Sequence, residues 1–166
     1  MIDIQRIISH AMTTRGQVRR AFPAAASTAI EQAIQGAEAG HAGEIRFVVE
    51  AALDGLPLLK SQTARERALE VFSQLGVWDT EHNSGVLIYL LLADRRVEIV
   101  ADRGIHARVG AAAWAGLCRA MEISFREGHY EHGAVACIGA VAAQLKQHFP
   151  AGEHHDNELP DAPVFL

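Results

Sequence analysis

Two apolar runs joined by a short charged turn stand out in the hydrophobic pattern of the chain. Val86–Leu92 contains no charged residue and no polar alternation, which is typical of a strand buried on both faces of a helix-covered sheet. Val97–Ala101 follows after Asp94–Arg96, and a connection that short joins antiparallel strands. The pattern therefore predicts a β-hairpin at the centre of the sheet.

A third strand is predicted over residues 44–53, where apolar and polar positions alternate. One face carries Ile45, Phe47, Val49 and Ala51, and the other includes Arg46 and Glu50. The alternation places this strand nearer an edge of the sheet than Val86–Leu92. A capping box at Thr63–Glu66 starts a helix that ends near Leu75. Because a helical crossover is right-handed and returns the chain in the same direction, the strands on either side of it are predicted to run parallel.

Apolar residues at helical spacing predict four further helices. They cover residues 3–12, the segment from Phe22-Pro23 to the glycines at 40 and 43, residues 111–126, and a last segment from about 134 to Pro150. Breaks or loops are predicted at 13–16 and 54–62, and a turn after Gly128 holds His129–His132. Together these elements predict an α/β fold, a three-layer α/β/α sandwich around a small mixed sheet with a central β-hairpin.

The pattern also divides the chain into three parts. Residues 1–22 form an amphipathic helix and a linker, residues 23–149 form the α/β/α domain, and residues 150–166 form an acidic tail. The tail contains prolines and is expected to lack regular structure, although Val164–Leu166 could dock on the body.

Composition and charge narrow the function classes. The net charge of −5 over 166 residues argues against a general nucleic-acid binder, because such proteins carry an excess of cations for the phosphate backbone. No apolar stretch is long enough to span a membrane, and no secretory leader is visible, so the expected location is the cytoplasm. Cys118 and Cys137 occupy apolar helix positions and are expected to be core thiols of a reducing compartment.

The predicted topology sorts the acidic residues into two groups. Asp54 and Asp94 follow the carboxyl ends of the parallel strands, whereas the hairpin brings Asp102 to the opposite edge, beside the loop 79–84. Four residues there could supply oxygen ligands to Ca²⁺ or Mg²⁺: Asp79, Glu81, Asn83 and Asp102. The spacing resembles the start of a calcium loop but lacks its glycine and closing glutamate. The alternative, which we favour on sequence alone, is a solvated loop that only forms a turn.

Arg103-Gly104 also permits two interpretations. Gly104 is predicted to adopt a positive φ at a sharp exit from the strand, with Arg103 exposed. Alternatively, Arg103 presents its guanidinium group to an anionic ligand. No nucleophile elbow, phosphate-binding loop, dinucleotide fingerprint or C-x-x-C pair occurs in the sequence.

Six short segments in this order resemble the TPM domain, a family named for a thylakoid-lumen phosphatase, a photosystem II repair protein and a modulator of acetylcholine receptors. They are Gly43–Arg46, Arg65–Ala68, Asn83–Ile88, Asp94–Ile99, Asp102–Ile105 and Phe125–Tyr130. The resemblance covers about residues 23–149 and is greatest to the short soluble bacterial branch, which shares a tail like residues 157–161 here. It implies an α/β/α sandwich. Family members are described as acid phosphatases, calcium binders and assembly factors, and this chain lacks the acidic D-x-A-G opening of longer members.

Two functions are therefore carried forward. The favoured one is a binding or assembly module with a divalent-cation site, whose partner is an unknown protein or a phosphorylated small molecule. Ile4 and Ile8, or Val164–Leu166, could occupy a neighbouring subunit and form a homo-oligomer. The alternative is a metal-dependent phosphatase for phosphate esters. In that case Asp102 would act with the other metal ligands, and Arg103 would balance the charge that develops on phosphate.

Overall fold

The computed structural model describes residues 3–152 and 156–166, and its centre is a mixed four-stranded sheet. The strands are β1 (Glu44–Glu50), β2 (Gly85–Leu91), β3 (Arg96–Ala101) and β4 (Val164–Phe165), in the spatial order β3-β2-β1-β4. β1 runs parallel to β2 and to β4, and β3 runs antiparallel to β2. The predicted hairpin and the predicted parallel pair are both confirmed, although β3 is an edge strand, so only β2 of the hairpin lies at the centre of the sheet.

Eight helices surround the sheet in the described part of the chain. They are α1 (Ile4–Met12), α2 (Arg15–Ala21), α3 (Ala24–Glu38), α4 (Gly55–Leu59), α5 (Ala64–Gln74), α6 (Arg103–Val109), α7 (Ala111–Arg126) and α8 (Tyr130–His148). The predicted capping box begins α5, since the Thr63 hydroxyl accepts from the Glu66 N–H and the Glu66 carboxylate accepts from the Thr63 N–H.

Helices cover both faces of the sheet. On one face α2, α3, α6, α7 and α8 pack on the apolar side of β1 together with alternate residues of β2 and β3. On the other face α5 packs against Val48, Leu87 and Tyr89. Because β2 lies between two helical layers, all seven of its residues are buried. The three-layer α/β/α class is confirmed.

The sequence missed three short helices and misplaced one helix start. Residues 13–16 were expected to be a break, but Thr14 and Gln17 form a second capping box that begins α2. α4 lies within the predicted loop 54–62, and α6 follows β3 directly. The interpretation of 129–132 as a turn is wrong, because residues 130–132 form the first turn of α8 after Gly128, whose φ is +81°.

The C-terminal tail is more ordered than expected. Leu166 N–H donates to the Val49 carbonyl at 2.9 Å, and Val164–Phe165 adds β4 to the edge beside β1. The expectation that the tail lacks regular structure is therefore wrong for these residues, and the alternative that they dock is confirmed. Residues 1–2 and 153–155, which belong to the predicted N-terminal segment and tail, lie outside the described residues.

The tail also explains why the polar face of β1 is buried. The Glu44 carboxylate accepts from the N–H groups of Glu158 and Leu159 at 3.0 and 3.3 Å. Arg46 donates to the carbonyl groups of Pro160 and Ala162. Alternation along β1 thus separates two buried faces, one apolar and one lined by hydrogen-bonded charges.

Two further expectations concern thiols and membranes. Cys137 is buried and Cys118 is half-buried, and both are free thiols whose pKa values burial raises to about 12 and about 11. Neither is therefore activated as a nucleophile. Within the ranges that the structure describes, no helix is both long enough and apolar enough to cross a bilayer.

Candidate functional site

Asp102 is the most buried residue of the predicted cation site. It is 7% exposed and serves as the N-cap of α6, with its Oδ1 accepting from the Arg103 N–H at 2.7 Å. Its backbone N–H donates to the Gly85 carbonyl at 2.8 Å. Its second oxygen, Oδ2, is buried and has no hydrogen-bond partner in the described part of the chain. A buried carboxylate oxygen without a partner is unfavourable, so this atom is the strongest polar feature at this edge.

The predicted return of the chain to the loop before β2 is confirmed at residues 83–85. Ile105 N–H donates to the Asn83 carbonyl at 3.3 Å, beside the contact between Asp102 and Gly85. Asn83 adopts a left-handed conformation with φ of +50°, which its short polar side chain tolerates. The turn is closed by Thr80, whose hydroxyl accepts from the Ser84 N–H at 3.1 Å.

The other acidic residues of the predicted site lie further out. Asp79, Glu81 and Asn83 are exposed, whereas Asp102 is buried. Among residues 3–152 and 156–166, no three His, Cys, Asp or Glu side chains are grouped so that they could hold a metal ion. The structure therefore brings Asn83 and Asp102 together and does not gather Asp79 and Glu81 around them. The Ca²⁺ or Mg²⁺ site stays a prediction.

Glu158 is a carboxylate that sequence reasoning did not place at this edge. It accepts from the Glu81 N–H at 3.2 Å, so the tail closes over the loop 79–83. The only sequence signal was the position of Glu158 in an acidic tail, which does not specify where the tail docks.

Gly104 is required for a different reason from the one expected. It is not among the positive-φ glycines, so the predicted left-handed exit from β3 is wrong. A Cβ at this position would lie 2.6 Å from the Asn83 carbonyl oxygen and 2.9 Å from that of His82. Glycine is therefore needed because two backbone segments approach closely. Arg103 is exposed, and its proposed role toward an anion stays a prediction.

The opposite edge of the sheet holds Asp94, which α1 contacts directly. Arg6 donates from Nε and Nη2 to the Asp94 carboxylate at 2.8–3.2 Å and from Nη2 to the Gln62 carbonyl at 2.7 Å. The two-pronged contact with Asp94 raises the pKa of the Arg6 guanidinium. Although burial opposes ionisation of Asp94, the hydrogen bonds from Arg6 and His10 prevail and lower the pKa of its carboxyl group.

His10 completes this contact between α1 and the sheet edge. Its Nδ1 accepts from the Leu53 N–H at 2.9 Å, and its Nε2 lies 2.8 Å from Asp94 Oδ1. A backbone donor at Nδ1 leaves the ring proton on Nε2, so the neutral tautomer donates to the carboxylate. The side chain is fully buried, and His10 is thus a fixed structural hydrogen-bond bridge.

As a consequence, α1 is oriented with its polar face toward the body. The amphipathic pattern of this helix alone would favour a buried apolar face. Instead His10 is the buried residue of α1, while Ile4, Ile8 and Met12 are 69%, 56% and 70% exposed. The segments before and after α4 also contact α1, since the Leu53 N–H bonds to His10 and the Gln62 carbonyl to Arg6. Leu56 and Leu59 of α4 are also exposed.

A second buried charge pair lies under α5. Arg67 contacts the Glu50 carboxylate through Nε and Nη2 at 2.9 and 3.0 Å, and the Tyr89 hydroxyl donates to Glu50 at 2.6 Å. Burial, followed by the hydrogen bond to Glu50, raises the pKa of Tyr89, so its hydroxyl stays protonated. All three groups are satisfied by one another, which makes this a structural network.

Comparison with known proteins agrees with this architecture. Residues 19–144 match the model of the TPM domain. The solution structure of the BA42 protein from the psychrophilic bacterium Bizionia argentinensis superposes with a TM-score of 0.75 at 29% identity, covering 87% of this chain and 95% of that one. The N-terminal domain of a protein from P. gingivalis superposes with a TM-score of 0.59 at 19% identity, covering 87% and 96%, and supports the fold alone.

The search of curated proteins found no significant match. The family match spans most of the chain, from α2 to the last turns of α8, and includes both strands of the hairpin and the loop before β2. The chain therefore belongs to the TPM domain family.

Proposed function

We propose that this TPM-domain protein is a binding and assembly module whose docking element is α1. The observation that supports this is the orientation of α1, whose polar residues bond to the body while Ile4, Ile8 and Met12 face outward. Burying the exposed parts of these three side chains would remove roughly 250 Å² of apolar surface from water. At about 25 cal/mol per Å² this corresponds to about 6 kcal/mol as an upper bound.

The contact with Asp94 keeps α1 folded and its apolar surface in a fixed position. A nine-residue helix is too short to persist by itself in water, so α1 exists because Arg6 and His10 attach it to the hairpin turn. A docked helix with a fixed apolar stripe binds with less loss of conformational entropy than a free peptide.

The proposed occupant is a protein with an apolar groove. A specific interface buries about 800 Å² on each partner, so the stripe of Ile4, Ile8 and Met12 supplies about a third of one side. Helices that lie on anionic membranes carry free Lys or Arg on the polar face. The sole cation of that type in α1 is Arg6, which is engaged by Asp94. A protein partner therefore fits α1 better than a lipid surface.

The experiment places a photo-crosslinking amino acid at position 8 and, as a control, at position 123 of α7. Ile8 and Ile123 are 56% and 53% exposed, so the two probes are matched for accessibility. We expect a discrete protein adduct at position 8 only. The captured protein is then purified and titrated with the unlabelled chain, with Ile8→Glu and with Ile123→Glu, and the first variant should weaken binding at least tenfold.

Three results would contradict this proposal. Adducts only with a second copy, confirmed as a dimer by light scattering, would assign the stripe to self-association. Binding to vesicles with 30% anionic lipid that is lost in Ile8→Glu would assign it to a membrane. Equal effects of the two glutamate variants would show that α1 is not the docking element.

A metal-dependent phosphatase is the second candidate, and the observation that favours it is the buried, unpartnered Oδ2 of Asp102. A divalent cation at that atom would satisfy it, with Asp79, Glu81 and Asn83 recruited from the exposed loop and Arg103 next to the phosphate. Titration with Ca²⁺ and Mg²⁺, followed by backbone amide shifts, tests the ion. Hydrolysis of p-nitrophenyl phosphate by the unmodified chain and by Asp102→Asn tests the activity, and Asp54→Asn at the opposite edge is the control.

A further inference from the structure

We infer that a cavity beside the hairpin turn binds a small organic acid, through two arginines and an aromatic wall. The cavity has a volume of about 160 Å³ and lies between the turn Leu92–Arg95 and the junction of α7 with α8. It is separate from α1 and from the edge that holds Asp102. The inference therefore goes beyond the proposed function and does not depend on it.

Two arginines give the cavity its charge. Arg95 and Arg126 both line it, and neither guanidinium group has an ion-pair or hydrogen-bond partner among the residues described. One carboxylate, Glu122, also lines it. Glu122 accepts from the Val97 N–H at 3.0 Å and lies 3.8 Å from Arg96 Nε, so it already has partners on β3. The lining therefore carries two cations against one carboxylate, and in a chain of net charge −5 this local positive charge favours an anionic ligand.

Aromatic and aliphatic side chains form an apolar wall on the cavity. The rings of Phe125 and Tyr130 stack with centroids 5.1 Å apart and an interplanar angle of 29°. Phe22 packs edge-on against both rings, which fixes their positions from behind. Leu90 and Leu92 complete the apolar lining. Half of the cavity thus suits a hydrocarbon or aromatic group, and the arginines suit its acidic group.

Arg95 has an unusual backbone conformation for its residue type. Its φ is +51°, in the left-handed region that hairpin turns normally fill with Gly, Asn or Asp. A long charged side chain is strained in this conformation, so a smaller turn residue at position 95 would make the folded chain more stable. The turn thus holds a guanidinium group at the cavity, in a conformation where a smaller residue would be more stable.

The size and charge define the ligand class. A cavity of about 160 Å³ is below the roughly 300 Å³ of a drug-sized pocket, so the ligand is a compact acid. Guanidinium forks bind carboxylate and phosphate alike, so the acidic group is either of these. The apolar body is an aryl or branched alkyl group that lies on the wall of Phe125 and Tyr130.

The test uses the full chain and three probes: benzoate, phenyl phosphate and inorganic phosphate. Amide shifts in ¹H–¹⁵N spectra locate each site, and the titration gives its affinity. We expect shifts at the hairpin turn and at the start of α8, and both aryl acids should bind more tightly than inorganic phosphate. The ratio between benzoate and phenyl phosphate identifies the preferred acidic group.

Matched variants separate the site from general charge attraction. Arg126→Gln and Arg119→Gln each remove one exposed cation from α7, but Arg119 does not line the cavity. Loss of a charge-assisted hydrogen bond should weaken aryl-acid binding about tenfold or more in Arg126→Gln. Arg119→Gln should remain within about twofold of the unmodified chain, since a distant exposed charge is screened.

Each alternative outcome would overturn the inference. No shifts at 20-fold excess over about 1 mM protein would show that the cavity does not take acids. Shifts away from the turn, or equal weakening by both variants, would show non-specific attraction. Arg95→Asn, which suits the left-handed turn, provides a second variant that should fold and also weaken binding.

Discussion

The attachment of α1 to the hairpin turn gives the sharpest stability prediction. In Asp94→Asn the carboxylate loses its charge while the side chain keeps its size. Arg6 then loses a two-pronged ion pair at 2.8–3.2 Å, because the amide offers one neutral acceptor oxygen to the Arg6 and His10 donors where the carboxylate offered two charged ones. Because α1 is too short to be helical by itself, we expect it to detach while the three-layer core remains folded.

The magnitude follows from burial. Removing one partner of a fully buried ion pair costs about 3–5 kcal/mol. The Arg6 and Asp94 side chains are 19% and 15% exposed, so water replaces part of the contact and the lower end, about 3 kcal/mol, applies. At about 1.4 kcal/mol per factor of ten, this is roughly a hundredfold increase in local opening.

Hydrogen exchange measures that opening residue by residue. The amides of α1 that donate within the helix, such as those of residues 8–12, should exchange about a hundredfold faster in Asp94→Asn, whereas amides of β2 should be unchanged. Asp54→Asn is the control, because Asp54 lies at the same edge and its side chain makes no capping bond. Unchanged protection of α1, or equal loss in both variants, would refute the reasoning.

The same contact sets a pH dependence. The pKa of Asp94 is lowered in the folded chain, so the unfolded chain binds the proton first as the pH falls. The stabilisation is therefore complete above the unfolded value of about 3.9 and is lost as the pH falls through the lower folded value. Protection of α1 should decline below about pH 4 in the unmodified chain and should be insensitive to pH there in Asp94→Asn.

Two further predictions concern the Asp102 edge and the tail. Gly104→Ala should lower the free energy of unfolding by about 2 kcal/mol, since its Cβ would lie 2.6 Å from the Asn83 carbonyl oxygen, whereas Gly116→Ala, which meets nothing nearer than 3.9 Å, should be neutral or stabilising in urea denaturation. Burial, with Asp161 adding to it, raises the pKa of Glu38 to about 8. Since the native state then holds a proton that the unfolded state releases near pH 4.5, stability should fall by about 1 kcal/mol between pH 5 and 8, after allowance for solvent screening, and Glu38→Gln should remove this slope.

Most of the fold could be predicted from the local periodicity of apolar residues. The continuous apolar run of β2 and the alternation of β1 each require one kind of strand, and the short turn between β2 and β3 permits only an antiparallel pair. The pattern did not predict α2 and β4, because elements of seven and two residues are too short to show a period. The capping pair Thr14 and Gln17 was the one readable signal for α2.

The partners of the polar residues were less predictable, because they lie far apart in the sequence. Arg6 and Asp94 are separated by 88 residues, so no local pattern shows that the polar face of α1 is the buried one. Arg46 is separated by 114 residues from the Pro160 carbonyl that it contacts. For the Asp102 edge, topology predicted the return of the chain to residue 83, but the exposure of Asp79 and Glu81 depends on the path of the loop, which the sequence does not specify.

Three successive charged residues, at the hairpin turn and the start of β3, have different partners, and their independence is testable. Asp94 contacts α1, Arg96 lies 3.8 Å from Glu122, and Arg95 lines the cavity. Because Arg6, His10 and Asp94 do not line the cavity, the free energies of the α1 contact and of ligand binding should add to within about 0.5 kcal/mol. Asp94→Asn should therefore leave the affinity for aryl acids unchanged within about twofold, and Arg126→Gln should leave hydrogen exchange of α1 unchanged. If Asp94→Asn abolished acid binding, the turn would act as one unit, and detachment of α1 would alter the cavity that we assign to Arg95 and Arg126.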